Sequence, residues 1–204
     1  MKRGVNAMSN VKNNGMSLER ARQLLHEAEL LRSAEDVAQA IGFMARRINH
    51  MLADKFPLVL TVMNGGMWFA GRLLPLLDFP LTCDYIHASR YRQETRGGKI
   101  DWLATPRESL KGRHVLVLDD ILDEGHTLAA IAHYLRDAGA KHVTCAVLVE
   151  KQLNIVKPLQ ADFVGITVPN RYVFGCGIDI YGVWRNLPAI YAVRSAIPDS
   201  STEY

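Results

Sequence analysis

The chain has 204 residues, 49% apolar and 22% charged, with a net charge of +3. That suits one folded domain with at most a small appendage, and so modest a positive charge does not argue for a nucleic-acid partner. Its three cysteines, Cys83, Cys145 and Cys176, are widely spaced and odd in number, which excludes a disulfide framework and a cysteine-pair metal site and points to a reducing cytoplasm; no apolar run approaches the roughly 18 residues of a membrane span. Met1 to Met16 is polar, lacks a signal-type apolar stretch and reads as a disordered leader. Residues 17–197 form the domain, and Pro198 to Tyr204 a loose tail.

Ser17 to Arg32 reads as a helix, with Leu18, Ala21, Leu24, Leu25, Ala28 and Leu31 on one face. Ser33-Ala-Glu-Asp36 has the form of a capping box. It opens a second helix with Val37, Ile41, Met44, Ile48 and Leu52 on one stripe. Pro57 to Met63 is a continuous apolar run, a buried strand, broken by Asn64-Gly65-Gly66. Met67 to Leu77 resumes as helix. Leu81 to Tyr91 reads as a strand, Arg92 to Lys99 as a mobile loop around Gly97-Gly98, and Ile100 to Ala104 as the returning strand of a hairpin. His114 to Leu118 is a buried strand, and Thr127 to Ala138 a helix ended by Gly139. Val143 to Val149 and Phe163 to Val168 are further strands. This alternation predicts an α/β fold, a parallel sheet covered by helices on both faces, with ligands beyond the C-terminal ends of the strands.

Three spots fall there. In Asp119-Asp-Ile-Leu-Asp-Glu-Gly-His-Thr127 a buried strand runs into carboxylates and then a loop opening a helix. N–H groups at a helix start suit a phosphate, Gly125 permits close approach and Thr127 adds a hydroxyl. Asp119 and Asp120 alternate along the strand end and should point to opposite sides, suited to sugar hydroxyls or Mg²⁺. Together these point to a phosphorylated sugar. The competing reading is an acidic strand end in which Asp123 simply caps the helix. Asn64-Gly65-Gly66 is a second strand-to-helix turn that can present N–H groups to an anion such as diphosphate, or be only a tight turn. Lys151 can donate to a ligand carbonyl, or be a solvated strand-end lysine. Further on, Tyr172-Val-Phe-Gly-Cys-Gly-Ile-Asp179 offers an aromatic to stack on a planar base and a carboxylate for a metal. Arg185 can grip phosphate oxygens. Core packing and a surface ion pair are the alternatives.

Val115 to Leu128 closely resembles the phosphoribosyl diphosphate (PRPP) signature of the type I phosphoribosyltransferases, and the surroundings resemble their hypoxanthine-guanine branch. Val62-Met-Asn-Gly-Gly66, Ser89-Arg-Tyr91, Val149-Glu-Lys151, and Tyr172 to Asp179 followed by Trp184-Arg-Asn-Leu-Pro188 come in that family's order, over about residues 57 to 193. The resemblance implies the family fold: a parallel sheet, a small hood subdomain from the N-terminal helices and about residues 165–190, and a flexible lid from Ser89, Arg90 and Tyr91 to Lys99. It implies transfer of phosphoribose from PRPP to N9 of a 6-oxopurine, giving IMP or GMP and diphosphate. Asp119 and Asp120 would meet the ribose hydroxyls with metal nearby, and Asp123 would exchange the proton at purine N7. Asp123, Glu124, Gly125, His126 and Thr127 would bind the 5′-phosphate. Met63, Asn64, Gly65 and Gly66, often through a non-proline cis peptide, would bind diphosphate with Arg185. Lys151, Tyr172, Val173 and Asp179 would hold the purine, with Asp179 on a second Mg²⁺. It further implies a homodimer or homotetramer in the cytoplasm, with PRPP and a purine base as partners and neither nucleic acid nor membrane.

Two positions depart from the family pattern. Asn64 stands where lysine is common, removing one cation from the diphosphate site. Glu124 stands where threonine is usual. A carboxylate at ~6 Å from a phosphate costs on the order of 1–3 kcal/mol, so Glu124 should point away and serve through its N–H. Xanthine or adenine are alternative bases, and a donor at Lys151 disfavours adenine. Regulators of this fold that bind RNA or DNA would need a basic surface or an added domain. A phosphoacceptor signalling domain built around Asp119-Asp120 would leave Gly125, Thr127 and the C-terminal blocks unexplained.

Overall fold

The computed structural model describes residues 16–90 and 100–194; the expected lid from Tyr91 to Lys99, the leader up to Gly15 and the tail lie outside the described residues. Ser17 accepts the Arg20 N–H at 3.2 Å and opens α1 (Leu18–Glu27). The helix stops short of the expected Arg32. Ala28 is extended (φ −72°, ψ 157°), and Glu29–Arg32 forms a strand, β1. β1 pairs antiparallel with Ile190–Ala192 near the other end of the chain. That distant ladder overrides a helical apolar period, and Leu30 is left half-exposed.

α2 (Ala34–Leu52) begins with the expected capping box: Asp36 N–H to Ser33 Oγ at 3.1 Å, Ser33 N–H to Asp36 Oδ2 at 3.0 Å. Val37, Ile41, Met44, Ile48 and Leu52 are all buried, each contributing roughly 1.5–3 kcal/mol relative to exposure. Next come β2 (Leu58–Val62), α3 (Gly66–Leu73), β3 (Thr82–Arg90), β4 (Ile100–Ala104) and β5 (His114–Leu122). α3 is shorter than expected because Leu74–Leu76 tightens into a 3-10 turn holding Pro75, which has no N–H to donate. α4 (His126–Asp137), β6 (His142–Gln152) and β7 (Phe163–Pro169) complete the large sheet.

Its order is β4-β3-β2-β5-β6-β7, parallel throughout except for β4, which returns antiparallel on β3 as the hairpin reading required. Both faces are covered. Along β5, Leu116 and Leu118 pack toward α2 and α3, while Val115 and Val117 pack toward α4. The expected strand–helix alternation fails at the last crossover, where β6 reaches β7 through a loop with no helix. There Asp162 Oδ2 accepts the Cys145 N–H at 2.7 Å.

A second, three-stranded sheet runs β1-β9-β8, with β8 at Val173–Phe174 and β9 at Ile190–Ala192. α1 packs on it through Leu24, Phe174 and Ile180, and Trp184 Nε1 donates to Ala21 O at 2.8 Å. Of the two N-terminal helices, α1 clusters with this sheet, while the α2 stripe lies in the large sheet's core cluster, which also takes in Val173, Ile190 and Ala192 of the small sheet. From β2 the chain builds outward to β3 on one side, and from β5 to β6 and β7 on the other. The crevice at that reversal, beyond the C-terminal ends of β2 and β5, is where doubly wound sheets bind ligands.

Candidate active site

The turn after β2 lies against the end of β5. The Met63–Asn64 peptide is cis. A Cβ on Gly65 would sit 2.0 Å from Asp120 Oδ2, and one on Gly66 would sit 2.7 Å from Leu118 O. Both glycines are therefore needed for close approach. Gly177, with φ +104°, closes the third side: a Cβ there would sit 2.2 Å from Gly65 O. The sequence alone assigns Gly177 no role, because its close contacts, Gly65 and Asp120, lie far from it along the chain.

Asp119 and Asp120 are both buried. Strand alternation does separate their positions, with Asp120 on the Gly65 side, but the carboxyls are not independent. Asp119 Oδ1 accepts the Asp120 N–H at 3.0 Å. Burial first, then the neighbouring Asp120 charge, pushes the Asp119 carboxyl well above its ordinary range. Burial raises Asp120 too, only partly offset by the neighbouring Asp119 carboxyl and by the Arg185 charge.

Arg185 joins the strand ends to the C-terminal segment. Its Nη1 donates to Gly177 O at 2.6 Å and lies 3.8 Å from Asp120 Oδ2; its Nη2 pairs with Asp179 Oδ1 at 2.5 Å. Asp179 Oδ2 also accepts the Gly182 N–H at 2.7 Å. Gly175, Cys176, Gly177, Tyr181, Gly182 and Trp184 all have positive φ, a conformation that side chains rarely adopt. The resulting folded-back segment brings Tyr181 under Tyr172, rings nearly parallel at 6.4 Å. Val173 is buried in β8.

The loop after β5 settles one alternative. α4 is capped by Gly125 (φ +86°), not by Asp123. Asp123 instead takes Lys151 Nζ at 2.8 Å. Lys151, at the end of β6, has a side chain only 14% exposed, so it is no solvated strand-end lysine. Glu124 and His126 are exposed, and Thr127 is half-buried in the first turn of α4, where helical N–H groups have no intrahelical acceptor. The structure thus brings together Gly65, Gly66, Asp119, Asp120, Asp179 and Arg185 as one group, and Asp123 with Lys151 as another. Ser89 and Arg90 end β3, and Tyr91 lies outside the described residues.

This donor set suits a hard divalent cation. Two buried carboxyls stay above their ordinary range even with the Arg185 guanidinium 3.8 Å from Asp120 Oδ2, and a divalent cation would add positive charge there. No group of three or more potential ligands lies together among the described residues. Ligation would therefore be completed by substrate oxygens and water, the usual manner of Mg²⁺. No described helix is long and apolar enough to cross a membrane.

Comparison with known proteins gives a consistent picture. The model of the phosphoribosyl transferase domain family matches residues 16–180. A hypoxanthine-guanine phosphoribosyltransferase of Bacillus subtilis is 30% identical over 177 residues, covering 86% of this chain and 98% of the relative. A hypoxanthine-guanine-xanthine phosphoribosyltransferase of Tritrichomonas foetus is also 30% identical, over 82% of this chain and 92% of its own length. Among solved structures, the hypoxanthine phosphoribosyltransferase of Trypanosoma cruzi with its product IMP superimposes with a TM-score of 0.75 at 30% identity, covering 82% of this chain and 95% of that one.

Proposed function

The chain belongs to the phosphoribosyl transferase domain family, and we propose that it transfers the 5-phosphoribosyl group of PRPP to N9 of a 6-oxopurine, hypoxanthine or guanine, with release of diphosphate. The observation that carries the base assignment is the Lys151–Asp123 pair, 2.8 Å apart at neighbouring strand ends. A 6-oxopurine presents O6 and N7 on one edge, close enough for a single side chain to span. Lys151 donates to O6, and Asp123 meets N7. Adenine would set its amino group against the ammonium, leaving a buried donor unmet.

The chemistry follows from the remaining residues. N9 forms a bond to C1′ as the bond from C1′ to diphosphate breaks, and Asp123 takes the proton that N7 gives up. Arg185 draws the departing negative charge, helped by the N–H groups of the turn at Asn64 to Gly66. The first turn of α4 holds the 5′-phosphate. Tyr172, backed by Tyr181, covers the base. Mg²⁺ near Asp119 and Asp120, and a second at Asp179, each completed by substrate oxygens and water, would neutralise charge on the diphosphate.

Steady-state assays with PRPP, Mg²⁺ and each of hypoxanthine, guanine, xanthine and adenine test this reading. Turnover is expected with 6-oxopurines and not with adenine. A folded protein inactive with all four bases would end it. Cytoplasmic location and a dimer or tetramer belong to the same reading, supported by the three free cysteines and by the family; sedimentation decides the oligomer.

A further inference from the structure

We propose that Lys157 is a positioning residue that sets the spacing between Lys151 and Asp123. The inference rests on the base-binding roles proposed for those two residues. Lys157 lies in the loop from β6 to β7, yet its side chain is only 8% exposed. Its ammonium donates to Lys151 O at 2.7 Å, to Leu122 O at 3.2 Å and to Glu150 Oε1 at 3.0 Å. A lysine has three N–H donors, and three acceptors are present.

The location gives those bonds their meaning. Parallel pairing of β5 with β6 ends at Leu122 opposite Glu150. The next residue on each strand is the one proposed to touch the base: Asp123 after Leu122, and Lys151 after Glu150. Lys151 stays paired with Val168 of β7, but the β5–β6 ladder has ended, so no ladder bond ties the Asp123 backbone to that of Lys151. The Lys157 ammonium holds both, through the carbonyl that precedes Asp123 and the carbonyl of Lys151 itself. Glu150 supplies the charge that lets an ammonium be buried there. The side-chain stem has a separate contact: Lys157 Cβ and Pro158 Cδ lie 3.6 Å and 3.5 Å from where a Cβ on Gly125 would be. The stem thus underlies the loop proposed for the 5′-phosphate, and the head group ties the two base contacts.

That division makes the role testable. Lys157→Met keeps the stem and removes the ammonium. In steady-state assays of the full chain, KM for hypoxanthine should rise about tenfold while KM for PRPP stays within about twofold. Lys157→Arg, which keeps the charge but spreads it over a planar fork, should restore part of the loss. A residue that merely stabilises the loop would instead lower the melting temperature and move both KM values together, or neither. Either pattern overturns the proposal. Should the methionine variant fail to fold, Lys157→Gln, which can reach one carbonyl, is read by the same split. Wild-type protein in the same assay separates the two failures. If it turns over no purine, the functional reading fails and takes this inference with it; if it is active and the variants show no split, only the role of Lys157 fails.

Discussion

Gly65 isolates what the close approach of the two strand ends contributes. Its backbone is helical (φ −61°, ψ −49°), so alanine meets no conformational penalty there. The added Cβ, however, would lie 2.0 Å from Asp120 Oδ2 and 2.4 Å from its Cγ. Ordinary contact begins at 3.4 Å, so the carboxyl must retreat by about 1.4 Å. It can do so only by leaving the place where it faces Arg185, 3.8 Å away. Misplacing a catalytic group by about 1 Å costs on the order of 10²-fold in rate, or roughly 2.7 kcal/mol of transition-state stabilisation. Because a short side chain can swing, the stability cost should sit near the low end of the ~1–3 kcal/mol typical of overpacking. Gly65→Ala should therefore lower kcat/KM by about 10²-fold with a melting temperature only a few degrees down. Gly71→Ala is the control: its Cβ would meet nothing within 4 Å inside α3, and it should keep full activity and gain roughly 0.5–1 kcal/mol. Gly65→Ala retaining activity within about threefold of wild type would refute the reasoning.

Other residues give sharper single outcomes. Asp123→Asn should cut kcat by about 10²-fold or more while KM for PRPP changes little, as expected for loss of a proton acceptor; equal losses in both would assign Asp123 to PRPP binding instead. Lys151→Met removes a charged donor worth roughly 1.5–3 kcal/mol, so KM for hypoxanthine should rise about 10- to 100-fold and discrimination against adenine should weaken, measured as a ratio of kcat/KM values. Asp84 bears on acid stability. Burial pushes its carboxyl up, but the N–H groups of Tyr85, Arg107 and Glu108 outweigh this and hold it below the ordinary 3.8. A depressed folded value means stability that is present above about pH 4 and lost as pH falls through that lower value. Asp84→Ala should cost about 1 kcal/mol near pH 7 and lose less stability than wild type on acidification; melting curves from pH 3 to 7 would show parallel loss if the idea is wrong.

What could be read from the chain alone was whatever is encoded locally. The stripe from Val37 to Leu52, the box Ser33–Asp36 and the apolar runs of β2, β5 and β6 all rest on spacing within a few residues. The Gly65 and Asp120 turns were also visible, because a glycine or carboxylate at a strand end is a local signal. What escaped depends on distant partners. The apolar period over Glu29–Arg32 suits a helix, and the partner that makes it a strand, β9, lies near the other end of the chain. Gly177 had no role until Gly65 O lay against it. Nothing in the local sequence from Asn154 to Pro158 announces that the Lys157 ammonium is buried. The cap of α4 is a different case: Asp123 and Gly125 both suit a helix start in the sequence, and the structure caps with Gly125 and pairs Asp123 with Lys151, against the capping alternative.

The pairing pattern also bears on how selectivity arises. Each cation at the centre of the site already has a carboxylate partner: Lys151 has Asp123, and Arg185 has Asp179 and Asp120. A ligand need not break these pairs to use the cations, since lysine carries three donors and arginine five. The bond to Asp123 instead aims one Lys151 N–H and leaves others for a carbonyl beside it, so the pair acts as a preset acceptor-and-donor edge. Such an edge rewards a ligand that offers both complements and penalises one that offers a donor where the ammonium points, because a part-buried ammonium facing a bound base has little water to turn to. On this argument the discrimination between oxo- and aminopurines resides in the fixed spacing of two strand ends rather than in either side chain alone. Lys151 in isolation would tolerate any nearby acceptor. In the proposed roles, Lys151 held against Asp123 would favour a base whose carbonyl and ring nitrogen match that separation.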